Sequence, residues 1–534
     1  MQRVPFLPLA PILVAAVLFL PAIGTRITSL EDEARYALKA RTMIQTGDWL
    51  LPRVDGEVQM QKSPLFMWAI ALLSLPGRKV TELTATLPSA LSAIAGVGVT
   101  LLLGRRMFGA RAGLLAAFSL ATMFGYYWHA RLILADMLMT FFIVAAAAVF
   151  WMSVGDGAGR RGPLILFWAC LGLAVSAKGP AGLLLLLPCS AFLIAERGWR
   201  GVRDLKPLMG AAVVLLVCAP WALAFALQKE QSYVQNVLMG DYLGPRRAGW
   251  SRRSEVFFTI GPIVLGAMPW TIFIPAAVRN GWWRGESDVA RKFRFLVFWV
   301  LAYIVVITVM PQKRDRYLLP LFPAFALMVG WLWDRWAAQG PSRALRLHGW
   351  IWAALALGLA VAVLLPPPAR PDLAILVPSA LWLKLLLGAV LIGASVAGVA
   401  TARAGSALAL FAIVCVSTTL VLACETQVFV AGHNRTHDVK AFTERLAARL
   451  GPGDQLVTYK LGSLSLQFYL GRTVRELQDQ QGLALLLAGE RPLYVIVHDR
   501  RWPELRDASG RSWTRVDELE FGDVRWLVVA PVPR

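Results

Sequence analysis

The chain has 534 residues, of which 57% are hydrophobic and only 16% charged, and its mean hydropathy is +0.57. That balance excludes a string of ordinary soluble domains, a disordered chain, a collagen and a coiled coil, and leaves a polytopic membrane protein. The formal charge of +21 is spread over short loops between apolar runs rather than gathered into one basic domain, so it points to topology and anionic lipid, not to a nucleic-acid partner.

In chain order, an apolar run over residues 7–24 follows Met-Gln-Arg without a small-residue cleavage site and reads as an uncleaved anchor. Further apolar runs follow at 64–77, 83–103, 112–127, 137–154, 163–177, 180–195, 208–227, 255–278, 293–310, 317–337, 347–365, 377–400 and 405–424. The run at 64–77, closed by Pro76-Gly77, is short for a span and is expected to be re-entrant or interfacial. Thirteen helices remain. Starting with the N-terminus inside, they place Arg105, Arg106 and Arg111, then Arg160 and Arg161, Arg197 to Lys206, Arg279 to Lys292, and Arg335 to Arg346 in cytoplasmic loops, as the positive-inside rule predicts. A fourteenth span would move every loop after residue 77 to the wrong side.

The same count puts the tail, residues 425–534, outside. Its periodic charges, the turn at Gly451-Pro-Gly-Asp, and short β-rich runs at 455–459, 493–497 and 526–530 predict a small α/β domain, with a helix starting near Thr436. The five Cys all sit in apolar segments without metal-ligand spacing, and no disulfide framework is expected. His433 and His437 have helical spacing but no third ligand, and read as a solvated helix start.

Charges remain on the outer side that topology does not explain. The loop at 25–63 carries Glu31-Asp-Glu-Ala-Arg35-Tyr36 and Gln61-Lys62. Asp136 stands at a helix start, Lys178 at a helix end, Arg252 in the 228–254 loop and Lys313-Arg-Asp-Arg-Tyr317 beyond another helix. Any single arginine among these has an ordinary explanation in snorkelling or loop ion pairs. Asp32, Asp136, Lys62 and Lys178 together read as a functional set, because ionisable groups at membrane depth are costly. Cations that hold a phosphate beside a carboxylate that takes a proton are the equipment for moving a phosphate-linked group.

These motifs, in their order, resemble a known family. Glu31-Asp-Glu-Ala-Arg-Tyr-Ala, Thr46-Gly-Asp-Trp-Leu-Leu-Pro-Arg and Gln61-Lys-Ser-Pro-Leu are similar to the first outer loop of polyprenyl-phosphate-sugar transferases, which include the bacterial lipid A aminoarabinose transferases and relatives of the protein O-mannosyltransferases, all of the GT-C fold. Gly104-Arg-Arg-Met-Phe-Gly-Ala-Arg-Ala-Gly, Ala130-Arg-Leu-Ile-Leu-Ala-Asp-Met, Ala177-Lys-Gly-Pro-Ala-Gly-Leu and Arg316-Tyr-Leu-Leu-Pro-Leu-Phe-Pro continue the resemblance over residues 20 to 340. It implies a GT-C membrane domain over 1–424, with the catalytic motif in the 25–63 loop, and a soluble periplasmic domain over 425–534. It implies a multi-pass protein of the bacterial inner membrane with its site facing the periplasm. Asp32 would then be the catalytic carboxylate and Asp136 the second acid. Arg35, Lys62, Lys178, Arg252 and Tyr317 would face the donor phosphate, with Arg252 the loosest match because Ser251-Arg-Arg-Ser-Glu-Val departs from the family's aromatic-rich run.

Many members of the family carry an acid where this chain has Gln61, and an amide is a poor metal ligand, so no required metal or other cofactor is expected. The implied partners are a polyprenyl-phosphate sugar donor, a lipid or glycan acceptor and the bilayer. A protein O-glycosyltransferase of the same fold and a lipid-linked-sugar transporter are the alternatives; the latter is weakened by the lack of an inverted repeat.

Overall fold

The computed structural model describes residues 9–54, 57–58, 64–155, 161–227, 259–310, 313–366, 377–489 and 492–532. The chain opens with α1 (Ala10–Phe19) and α2 (Glu31–Thr46), then a short antiparallel pair, β1 (Arg53–Val54) and β2 (Glu57–Val58), and α3 (Leu65–Ser74). A bundle follows: α4 (Glu82–Phe108), α5 (Ala110–Ala121), α6 (Phe124–Ala130), α7 (Ala135–Phe150), α8 (Arg161–Lys178), α9 (Leu186–Arg197), α10 (Pro207–Leu227), α11 (Ile260–Gly266), α12 (Ile274–Val278), α13 (Ser287–Val309), α14 (Phe322–Gln339), α15 (Arg343–Leu364), α16 (Leu381–Arg403) and α17 (Ala407–Thr436). Among the described residues eight helical stretches are long and apolar enough to cross a membrane, or nine if Ile260–Gly266 and Trp270–Trp283, bent by 103°, form one broken span. The expected span at 112–127 is interrupted. α5 ends at Ala121, and α6 restarts at Phe124, whose amide donates to the Met268 carbonyl at 3.0 Å instead of continuing the helix.

Small residues set how closely these helices approach. Gly109, at φ +100°, turns α4 into α5, and the two helices meet where Gly104 faces Gly113. A Cβ on Gly113 would lie 2.4 Å from the Arg105 amide nitrogen and 2.7 Å from the Leu101 carbonyl oxygen. Those are backbone atoms and cannot swing aside. Gly113→Ala is therefore expected to force the hairpin apart at a cost of about 1–3 kcal/mol, read as a lower melting temperature in detergent. An unchanged melting temperature would show the hairpin to be loosely packed. This contact also explains the glycines that bracket the Gly104 to Gly113 motif.

Past the bundle, α18 (Val439–Arg449), capped by Asp438 through the Ala441 amide at 2.9 Å, leads into a five-stranded sheet. Its elements are β3 (Gln455–Tyr459), α19 (Leu464–Leu470), β4 (Arg475–Leu477), α20 (Gln480–Leu487), β5 (Leu493–His498), α21 (Trp502–Ser509), β6 (Trp513–Phe521) and β7 (Val524–Pro531). The strand order is β4-β3-β5-β7-β6, with the first three parallel and β7 and β6 antiparallel. α17 continues unbroken to Thr436, so a boundary at residue 425 falls inside a helix. His433 on that helix is not solvated, in contrast to the sequence expectation. It is buried against Phe429 and His437, with Nε2 3.2 Å from both the Ser29 hydroxyl and the Ile27 carbonyl.

Candidate active site

α2 begins Glu31-Asp32-Glu33, three acids in a first turn whose unpaired amides favour negative charge. Their side chains go three ways. Glu31 reaches α19, Asp32 faces inward to a cluster of cations, and Glu33 is fully buried. Glu33 binds Arg26 in an ion pair, and the same Oε1 accepts the Ile133 amide at 3.1 Å. The apolar side of α2 packs on α3, with Tyr36 edge-on to Phe66 at 5.1 Å. Burial, together with the charges of Asp136 and Asp32, pushes the Tyr36 phenol well above its ordinary range, so it stays protonated beside them.

Asp32 and Arg35 are one turn apart and pair at 2.7 Å. The other oxygen of Asp32 is 2.7 Å from Nη2 of Arg316 and 3.9 Å from Arg314. Arg316 belongs to a 3₁₀ turn, Asp315–Leu321, that precedes α14. Its Nε is buried without a hydrogen-bond partner among the described residues and lies 3.8 Å from Asp136, the second residue of α7. Asp136, only 2% exposed, is ion-paired to Lys178, the last residue of α8. The Lys178 ammonium in turn sits 4.6 Å over the Tyr317 ring, a cation–π contact. Close by, Asp315 faces His129 Nε2 at 3.5 Å, while His129 Nδ1 contacts the Gly125 carbonyl at 2.8 Å.

The fold thus brings Asp32, Arg35, Asp136, Lys178 and Tyr317 into one cluster, from the starts of α2 and α7, the end of α8 and the turn before α14. Lys62 and Arg252 lie outside the described residues. Arg316, which joins the two carboxylates, was not singled out from the sequence, nor was Tyr36; both stand inside motifs quoted there. Four cations (Arg35, Lys178, Arg314 and Arg316) face two carboxylates, an excess of positive charge that suits a phosphate. No group of three or more His, Cys, Asp or Glu placed to hold a metal occurs among the described residues.

Solved structures share this fold. ArnT from Cupriavidus metallidurans, in a crystal structure bound to undecaprenyl phosphate, superposes with a TM-score of 0.76 at 21% identity, over 98% of this chain and 97% of that one. The chain has the GT-C fold. An Archaeoglobus fulgidus oligosaccharyltransferase is more distant, at a TM-score of 0.56 and 12% identity, covering 95% of this chain and 71% of that one. Residues 61–223 match the family described as dolichyl-phosphate-mannose-protein mannosyltransferase. Among curated relatives, the undecaprenyl phosphate-alpha-4-amino-4-deoxy-L-arabinose arabinosyl transferase of Edwardsiella ictaluri is 28% identical over 344 residues, and that of Pseudomonas paraeruginosa 30% over 354. The matches take in 62% and 63% of this chain, and span 60% and 61% of the length of those relatives. The resemblance read from the sequence to the polyprenyl-phosphate-sugar transferases is thereby borne out as a likeness of sequence and fold.

Proposed function

We propose that this protein transfers a sugar from a polyprenyl-phosphate donor to a lipid A-like acceptor at the outer face of the bacterial inner membrane. The observation that carries the reading is the pair of carboxylates, Asp32 and Asp136, set among four cations where α2, α7, α8 and the 315–321 turn meet. Asp136 and Lys178 belong to helices of membrane-spanning length, so the charges stand where a lipid headgroup can reach them. The names of the relatives favour a pentose, aminoarabinose, as the sugar. The proposal includes the thirteen-helix topology, a periplasmic site and a periplasmic unit formed by the tail.

In this mechanism the acceptor oxygen attacks the anomeric carbon, and the bond from that carbon to the phosphate oxygen breaks with its electron pair leaving on the polyprenyl phosphate. A single displacement inverts the anomeric centre. Arg35, Arg316 and Lys178 take up the charge on the departing phosphate, with Lys62 assigned the same part from the sequence. An arriving phosphate competes with Asp32 for the guanidinium N–H groups of Arg35 and Arg316, so donor binding releases the carboxylate toward the acceptor. A hydroxyl acceptor gives its proton to Asp32; a phosphate acceptor arrives ionised and needs no base.

The test is transfer by purified protein in detergent or nanodiscs, with undecaprenyl-phosphate aminoarabinose and other polyprenyl-phosphate sugars as donors and lipid A as acceptor. Asp32→Asn is expected to lower kcat about 100-fold or more with a hydroxyl acceptor while keeping donor binding. Donor binding by wild type without transfer to any lipid, glycan or peptide would defeat the proposal in favour of a carrier. Transfer to peptide alone would replace the acceptor with a protein.

A further inference from the structure

The segment carrying Asp32 does not stand alone on the bundle. Glu31, one residue before it, extends away from the site, and its carboxylate accepts the amides of Leu464 at 3.2 Å and Ser465 at 3.4 Å, the first turn of α19. Burial raises the Glu31 carboxyl above its ordinary value, and those two amides pull it back down. Gly462 is pressed against the same side chain; a Cβ there would come within 2.5 Å of Glu31 Cδ and 2.8 Å of Cγ. Near the other end of α2, Arg41 donates to the Phe468 carbonyl at 2.8 Å and stacks 4.7 Å over the Phe468 ring. Tyr469 closes the contact. Its hydroxyl accepts the Thr28 amide at 2.8 Å and donates to Glu82 at 3.2 Å. α19 therefore runs along α2 and holds both of its ends, and it is itself fixed as the crossover between the parallel strands β3 and β4.

We propose that α19 of the C-terminal sheet unit is a positioning element for the reaction, setting the first turn of α2, and with it Asp32, through Glu31 and Gly462. This inference rests on the proposed transferase reading and assigns a task to the sheet unit. Asp32 holds Arg316 at 2.7 Å across two elements. A shift of about 1 Å at the start of α2 breaks that geometry, and misplacement on that scale costs about 100-fold in rate. Arg35 moves with α2, but Arg316, Lys178 and Tyr317 stand on other elements and keep most of the hold on the donor phosphate.

The experiment compares Glu31→Ala, Glu31→Gln, Gly462→Ala and the Glu31→Ala/Gly462→Ala double variant of the full-length protein, using kcat, donor KM, thermal unfolding and amide hydrogen exchange over residues 31–37. Glu31→Ala and Gly462→Ala are each expected to lower kcat about 10- to 100-fold, with donor KM within about twofold. Glu31→Gln, which keeps one acceptor oxygen for one of the two amides, recovers part of kcat. The double variant is no slower than Glu31→Ala alone, because the methyl then meets no side chain. Exchange at the start of α2 speeds up in both single variants. Wild-type kcat in both, or kcat losses that track the folded fraction and add in the double variant, would overturn the proposal. Should Gly462→Ala not fold, Glu31→Ala and its Gln rescue decide the matter. A wild type that transfers no sugar would refute the transferase reading, and unchanged exchange over 31–37 would then refute the positioning on its own.

Discussion

Arg316→Ala is expected to reduce transfer about 100- to 1,000-fold and to weaken donor binding. Arg316 is the residue through which the two halves of the site communicate. Nη2 lies 2.7 Å from Asp32 on α2, and Nε faces Asp136 on α7 at 3.8 Å. Its side chain is 13% exposed, so its charge acts through little water. Alanine removes the positive charge between two carboxylates and, in the proposed reaction, one donor for the leaving phosphate. Arg316→Lys is expected to recover little, since one ammonium on a flexible stem cannot span both acids as a planar fork does. The control is Arg314→Ala. That arginine is 51% exposed and 3.9 Å from Asp32, and its loss is expected to change kcat/KM by only about two- to threefold. Steady-state kinetics on the three variants checks this. Near-wild-type transfer by Arg316→Ala would remove it from the site.

Lys178→Met carries the largest expected effect on stability. Its partner Asp136 is 2% exposed, in the first turn of α7, and without the ammonium keeps Arg316 Nε at 3.8 Å as its nearest described cation. Breaking one side of a buried ion pair costs about 3–5 kcal/mol, chiefly through the charge left behind. The pair Lys178→Met/Asp136→Asn is expected to regain most of that loss, because a neutral amide replaces the stranded charge. Thermal unfolding in detergent measures both. Equal stability of Lys178→Met and wild type would show Asp136 to be hydrated or protonated. Neither variant is expected to transfer sugar, so the double variant separates folding from chemistry.

Much of the site was legible because the membrane makes charge conspicuous. Asp136 and Lys178 interrupt apolar runs, and a buried carboxylate and ammonium there imply each other. Asp32 was legible as an outer-side charge in a long loop, and Arg35 only through the family resemblance of its motif. Arg316 was not, because Lys313-Arg-Asp-Arg places several cations side by side and only packing selects the one that turns inward. Glu31 and Glu33 were indistinguishable from Asp32 by type; helical geometry sends the three side chains to different neighbours. In the tail, β3, β5 and β7 are apolar inner strands and were visible as β-rich runs. The edge strand β6, Thr514-Arg-Val-Asp-Glu-Leu-Glu, carries the charges that protect an edge, and so did not stand out as a strand. The interruption between α5 and α6 was hidden for a different reason. Its residues are as apolar as a helix interior, and the break is fixed by a carbonyl from a distant segment.

The double use of Glu33 Oε1 bears on how the start of α2 is anchored. One oxygen holds both Arg26 and the amide of Ile133, three residues before Asp136, and so couples the base of α2 to the approach of α7. The start of α2 is thus held from two sides, by Glu33 toward α7 and by Glu31 toward α19. In the proposed reaction, substitutions that disturb Glu33 would cost activity with every donor alike.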